Sequence, residues 1–590
     1  MIPQLTPKLR LSTILIIATL IVLIVSFYNS ITSAQGNVSV NAADPAATEQ
    51  GTINLNVKVT GKGFKNGAKA NWTVTGTTDT GGVTVNSTTF VSSSEVTANI
   101  TVADTASIAS FDIQVTNSDG RGGKGTELFK VTAKGGGNLQ CPAMQPAPSG
   151  DTKCYAVMPG CLDSTFGGVG FVQTHIGDVT HQTVVNNAAV QPDGKLVVVG
   201  NATSNSTAST DFLVTRFNTD GTLDTSFGDI DPFNGVLRRG YTITAVTTGA
   251  DNANAVALQP DGKIVTVGTA GSVDTAVVVR HNSNGTLDAG FGTGGKAILK
   301  FGKVAGVPTF AIAVQSDGKV VIVGTVTSGG INAGGFSVAR LLPNGSLDSS
   351  FGTNGLVVAK PGATGVGAGV AIQRVPAVTG EERIVVVGWS AVSSNANQDW
   401  TVMRFQSNGT ADTSFGTSGI VKTPFLGFGD SAKRVAIDSA NRIVVAGNTR
   451  SASVNCGGYV IDTGIARYTL NGGLDPTFSG GKQTVDIYGA MDQMYGLALQ
   501  ADDKVLLFGY SNVNGANTTY MALTRLNLDG SRDASFGLLG NGTVTLDLTG
   551  FDNYGLAVGV QPGDGKIVVA GSVDPPGTAP WDMAVARYLP

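Results

Sequence analysis

A block of about 62 residues returns again and again after residue 160, and no other property of this 590-residue chain narrows its fold so far. The marker arginines are Arg216, Arg280, Arg340, Arg404, Arg467, Arg525 and Arg587, spaced 58 to 64 residues apart. Eight residues after each of the first six comes the aspartate of an L-D-type element: Asp224, Asp288, Asp348, Asp412, Asp475 and Asp533. A seventh, Asp163, stands ahead of the first copy. In every copy a basic residue lies five before a glycine, from Lys195 and Gly200 to Lys566 and Gly571. Constant spacing within a unit and variable loops between units are the mark of a repeated supersecondary element.

Each unit holds four strand candidates. In the third copy AIAVQ meets a Ser316-Asp317-Gly318 turn and then KVVIVG; GFSVARL, a Pro-Asn-Gly turn, LDSSFG and GLVVAK follow. Asp-Gly and Asn-Gly between apolar runs predict tight hairpins with positive φ at both central residues. The unbroken VVIVG run suits a strand buried on both faces. Four antiparallel strands repeated around a ring make a β-propeller; a straight β-solenoid would have shorter rungs without two hairpin turns per unit. The chain ends argue for the ring. The last copy stops at MAVARYLP, short of its L-D element and fourth strand, and the missing piece, PGCLDSTFGGVGFV, opens the repeat region. Pairing the first strand with the last three removes the exposed sheet edges. The expected fold is all-β, a seven-bladed propeller over residues 160–590 closed by its terminal strands and preceded by a small β-sandwich.

The pattern Q-P-D-G-K-[IL]-V-V-V-G with R-[FLY]-…-[DN]-G-[ST]-L-D-x-x-F-G resembles the delta-60 repeat of bacterial secreted and surface proteins, which implies a propeller-like module of no established activity. The fourth copy departs with VPAVTGEERIVVVG, and the fifth reads IDSANRIVVAG with an insertion near Cys456. An Arg and an Asp recurring in every unit answer a need of every blade, whereas chemistry needs a residue once. Arg is expected to fork onto Asp or onto nearby carbonyls, tying strands three and four. The following Phe, such as Phe227 or Phe351, is expected to plug the space between blades.

Residues 35–135 form a Thr- and Val-rich unit. INLNVKV, AKANWTV, VTVNSTTF, SEVTANITV and SFDIQVTN alternate with period two, which predicts a small β-sandwich. Gly61, Gly63, Phe64, Gly67 and Ala68, with VTNSDG at 115–120, resemble immunoglobulin-like domains of the IPT/TIG kind, and a spacer is the role this implies. Residues 136–159 are Gly- and Pro-rich and read as a linker. At the front, Lys8 and Arg10 precede an apolar run from Leu11 to Phe27, then Thr32-Ser33-Ala34. This is a signal peptide over residues 1–34 or, given the length of the run, an uncleaved membrane anchor. Either way the remainder is exported. No other apolar run of membrane-spanning length occurs, so the membrane is a partner only through that segment. In such a compartment Cys141, Cys154, Cys161 and Cys456 predict disulfides, with three pairings open.

The net charge of −4 with 14% charged residues shows no basic footprint, which argues against nucleic acid as partner. No nucleophile, zinc or phosphate-loop motif is present, and no cofactor or metal is expected. Asn218 to Asp224 has a faint look of a calcium loop, but most copies put Asn where calcium wants a carboxylate, so a plain turn is expected. His175, His181 and His281 are the only histidines. His175 and His181 could form a ligand pair or sit in a solvated loop. Two functions stay open. One is a non-enzymatic surface module binding protein or polysaccharide at a channel mouth through the long loops after each VVVG strand, such as NATSNSTASTD, with no catalytic residues. The other is a propeller hydrolase, lyase or oxidoreductase, for which the residues that break the repeat are Glu381, Glu382, Asp399 and Trp400.

Overall fold

Val, Thr and Gly in excess over helix formers give strands joined by tight turns. The computed structural model describes residues 38–132 and 158–590 apart from 51–54, 104–105, 177–181, 204–208, 232–237, 300–309, 327–334, 376–379, 393–396, 426–428, 452–459, 488–490, 513–518, 550 and 576–579. Among the described residues there is no α-helix, hence none long and apolar enough to cross a membrane. The segment read as signal or anchor, and Cys141, Cys154, Cys456 and His181, lie outside the described residues. The chain divides into two units at Leu139/Gln140, within the stretch read as a linker.

The first unit is two four-stranded sheets facing each other. One orders strands 39–44, 55–62, 95–102 and 83–92; the other orders 47–49, 122–132, 110–116 and 69–74. Inward positions from both, among them Val57, Trp72, Ile100 and Phe111, form one buried core. All five strands read from the sequence are present, with three that the alternation did not reveal.

Among its described residues the second unit forms seven four-stranded antiparallel sheets, the blades. Blade 1 begins at Val184 and blade 6 ends at Leu546. Blade 7 takes strands 553–560, 567–573 and 582–588 and is completed by residues 171–174, with Met583 opposite Thr174 and Ala586 opposite Phe171. The first strands touch in succession around the ring, and that of blade 7 touches that of blade 1. Buried Val, Ile, Leu and Phe from the second and third strands of neighbouring blades fill the space between sheets.

The hairpin turns differ from the expected form. In Gln191–Lys195 only Gly194 has positive φ, 82°. Gly194 N–H donates to Gln191 O, and Gln191 N–H to Lys195 O. Three residues therefore link the strands, a type I turn started by Pro192 and ended by a left-handed glycine. The glycine of VVVG serves a different need. A β-carbon on Gly200 would lie 1.8 Å from Val184 O, because the first strand bulges opposite it between Val185 and Asn187. Such bulges recur in the first strands of blades 5 and 6, at Lys433 and Tyr495. A bulge re-aims the side chain it carries.

Candidate functional site

At one end of every blade, where first strands finish, the repeated residues form a clasp. Arg216 Nε donates to Asp224 Oδ2 at 2.7 Å, and the same bond joins Arg280, Arg340, Arg404, Arg467 and Arg525 to their aspartates at 2.8 to 2.9 Å. In blade 7 Arg587 reaches Asp163 at 2.8 Å. Each guanidinium lies 4.4 to 5.0 Å from the centroid of the following Phe, from Arg216 over Phe227 to Arg587 over Phe166. The remaining donors cross to the next blade: Arg216 to Ser283 O at 2.5 Å, Arg404 to Leu470 O at 2.6 Å, Arg467 to Leu528 O at 2.7 Å. Arg587 donates to Thr219 O of blade 1 and so locks the ring. The clasp thus ties blade to blade, and within a blade it ties the third strand to the connection that leads into the fourth. Burial pushes the Asp163 carboxyl up, but bonds from Lys566 and Thr165 outweigh it and hold it down at about 2. Asp224 and Asp533 are held lower by the same balance. The arginines are buried, as are the aspartates except the partly exposed Asp288; every carboxylate is paired, while the buried Arg587 Nε has no hydrogen-bond partner.

The four residues that break the repeat do not converge. Glu382 and Asp399 belong to paired strands of blade 4, with Glu382 at the start of strand 382–391 and Asp399 opposite Ser390, near its far end. Eight residues of strand put these ends about 26 Å apart. Glu382 accepts from Ser316 N–H at 3.0 Å and Gln315 at 3.1 Å in blade 3, and Glu381 pairs with Arg383 at 2.7 Å. Trp400 is fully buried and donates to Asn448 O. His281 is buried, which pushes its pKa down to about 4. Cys161 is also buried. Asp220 accepts from Thr222 N–H and Oγ1, so Asn218–Asp224 is a closed turn. A hollow of about 570 Å³ at the clasp end of blades 1 to 4 is lined by Val190, Leu258, Val314 and Ile372, with Arg374 and Glu382 at 3.7 Å on its rim. Its apolar belt comes from one repeat position and carries no special chemistry.

The opposite end, where first strands begin and second strands finish, is different in each blade, and there blades 5 to 7 gather an aromatic ladder. Tyr495 stacks on Tyr510 at 5.7 Å; Tyr510 meets Tyr554 of blade 7 edge-on at 4.7 Å; Tyr554 stacks on Trp581 at 5.0 Å. All four rings are half-buried. The Lys433 ammonium lies 3.6 Å from the Tyr495 centroid. Burial, with Arg434 beside it, pushes the Lys433 amine down to about 7. Burial also lifts the Tyr510 and Tyr554 hydroxyls, so both stay neutral donors. The signal was readable in principle: Tyr510 follows the hairpin glycine where the first two copies put Asn201 and Thr269.

Two cross-strand positions complete this end. In blade 7 Asp582 and His175 fill them and bond at 2.7 Å, with Gln173 donating to Asp582 at 2.8 Å. In blade 5 the equivalent residues are Asp462 and Asp486, each one step beyond the paired Thr463 and Val485. Asp492, from blade 6, joins them. Burial raises Asp462 to about 6 and Asp492 to about 7, with neighbouring carboxylates adding to both.

Six segments, 191–227, 259–291, 315–351, 383–415, 441–478 and 500–536, match the family described as "Domain of unknown function (DUF5122) beta-propeller". Each segment ends at the clasp phenylalanine, so the match follows the clasp and leaves out Lys433, Tyr495, Tyr554 and Trp581. With the topology, it makes the chain a β-propeller repeat protein. A search of curated proteins finds no match. Among solved structures, the chain is similar to a virginiamycin B lyase from Staphylococcus aureus at 11% identity and TM-score 0.36, covering 70% of this chain and 99% of that one. A polysaccharide lyase, Uly1, gives 10% and 0.36 over 70% and 91%. An alpha-L-arabinofuranosidase from Fusarium graminearum gives 9% and 0.34 over 56% and 92%. Likeness at this level carries nothing about activity.

Proposed function

We propose that this chain is an exported, surface-attached or extracellular binding protein whose propeller holds an acidic polysaccharide along the ladder of blades 6 and 7. The N-terminal sandwich, resembling IPT/TIG domains, serves as spacer, and the propeller is of the delta-60 kind. The observation that carries this reading is the ladder itself: four half-buried rings in continuous contact, capped by Lys433. The C–H faces of sugar rings pack on aromatic faces, phenol hydroxyls give directed hydrogen bonds, and a half-desolvated amine selects a carboxylate or sulfate. Calorimetry of the full chain with polygalacturonate and with a neutral glucan tests it. Binding of the acidic polymer is expected to fall at least 10-fold in Tyr510→Ala and Trp581→Ala with unchanged far-ultraviolet circular dichroism. Equal binding by both variants sinks the proposal. Because Lys433 loses its proton near pH 7, binding is expected to weaken as pH rises from 6 to 8.5, and Lys433→Met to remove that slope.

A catalytic reading is favoured by one observation, that Asp462, Asp486 and Asp492 each bring a carboxylate oxygen within 4.8 Å of the others, where burial raises Asp462 and Asp492 toward the range of a general acid. Release of reducing or unsaturated ends from the bound polymer, lost in Asp492→Asn, would establish it.

A further inference from the structure

We infer that Asp462, Asp486 and Asp492 form a calcium site at the junction of blades 5 and 6. One carboxylate oxygen from each lies within 4.8 Å of the other two. Two oxygens bound to one calcium ion at about 2.4 Å can be no farther apart than about 4.8 Å. Among the described residues no other junction collects three such groups. The chain is held in this arrangement by backbone: Asp462 lies one residue from Ile461, which bridges to Met491 beside Asp492.

Two atoms independent of the count point at a missing ligand. Asp492 is fully buried, and while its Oδ2 accepts from Ile487 N–H, its Oδ1 has no hydrogen-bond partner beyond the neighbouring Ser511. Ser511, directly across the strand pair from Asp492, is also fully buried, and its Oγ has no partner other than the Asp492 carboxylate it faces. A buried polar atom without a partner is costly. Blade 2 shows the ordinary solution at the same position. Asp251 Oδ2 accepts from Val246 and Thr247 N–H, and its Oδ1 from Thr247 Oγ1 and Gly271 N–H. Blade 6 keeps the first half of that pattern and replaces the second with two more carboxylates. Three carboxylates and a hydroxyl are hard oxygen donors without nitrogen or sulfur, the set that suits calcium over zinc or copper. Asp486, at the exposed edge, leaves room for the waters that complete six to eight ligands.

The test is titration of the chelator-treated full chain with calcium chloride by calorimetry, alongside thermal melts in calcium, magnesium and EDTA. The expected result is one calcium per chain with a Kd between about 10⁻⁷ and 10⁻³ M, the range of sensor and extracellular sites, and a higher melting temperature in calcium than in EDTA or magnesium. Asp492→Asn is expected to weaken binding at least 10-fold while still folding, because Asn553 fills this position in blade 7 and its Oδ1 accepts from Leu548 N–H in the same way. Asp486→Asn, at the exposed edge, should weaken it likewise, and Asp399→Asn in blade 4 should leave it unchanged. No calcium binding up to 5 mM, binding untouched by both ligand variants, or a preference for magnesium overturns the assignment.

Discussion

The two ends of the blades are built on opposite principles. The clasp end is the same seven times over: one arginine, one aspartate and one phenylalanine per blade, all buried except the partly exposed Asp288, with the arginine paired to the aspartate in each. The other end shares only its backbone. At one first-strand position it carries Thr183 in blade 1, Asp251 in blade 2, Asp430 in blade 5, Asp492 in blade 6 and Asn553 in blade 7. Identical chemistry in every blade solves a mechanical problem that every blade has. Differing chemistry on identical backbone is where one blade can bind what another cannot.

The largest effect expected from breaking this division is at the clasp. Arg340→Ala strands the buried Asp348 carboxylate, removes the stack on Phe351 and cuts the bond to Ser407 O of blade 4. Removing one partner of a buried pair costs about 3–5 kcal/mol, so the denaturant midpoint should drop sharply while polysaccharide and calcium affinities at the far end hold. An unchanged midpoint would mean that the clasp is ornamental.

Next comes pH, which acts on the two ends with opposite sign. The clasp aspartates have folded pKa values below the ordinary carboxylate value of about 3.9, Asp163 at about 2. Their contribution is complete above pH 4 and is lost as pH falls toward 2. Asp462 and Asp492 are raised, to about 6 and about 7. The folded state therefore binds protons that the unfolded state has released, and this contribution, complete below pH 4, is lost as pH rises through 6 to 7. In EDTA the melting temperature should decline between pH 5 and 8. Asp492→Asn should flatten that decline and leave the acid limb in place. A variant that alters only the acid limb would show that the two ends are not electrostatically separate.

The same division explains what could be read from the residues. Repetition exposed the clasp and the ring closure, because a spacing of eight between Arg and Asp survives in six copies and the seventh pair is split between the two ends of the repeat region. It hid the ladder for the same reason. Tyr495 and Tyr554 occupy different positions of their strands, and only the meeting of two blades brings Tyr510 between them. Asp399 stands out in the sequence yet fills a third-strand position that Asp211, Asp462 and Asp582 fill in other blades. The expected form of the hairpin turn failed on a local point: Asp-Gly preceded by Pro closes a three-residue turn, so only the glycine need be left-handed.

The smallest effect sharpens the contrast between blades 5 and 7. Their third and fourth strands present the same cross-strand pair, Asp462 with Asp486 in one and Asp582 with His175 in the other. Like charges directly opposite one another on adjacent strands destabilise a sheet, and opposite charges at such partly exposed positions stabilise it by about 0.2–1 kcal/mol. Asp486→His copies the blade 7 pair into blade 5. In EDTA at pH 6, where an imidazole with ordinary pKa is largely protonated, the variant should melt slightly higher than the parent, and the gain should vanish above pH 8. In calcium the order should reverse, because the imidazolium occupies the place of a ligand and adds a positive charge beside the ion. A variant that melts higher in both conditions would show that relief of repulsion, and not cation binding, is the whole meaning of the acidic pair.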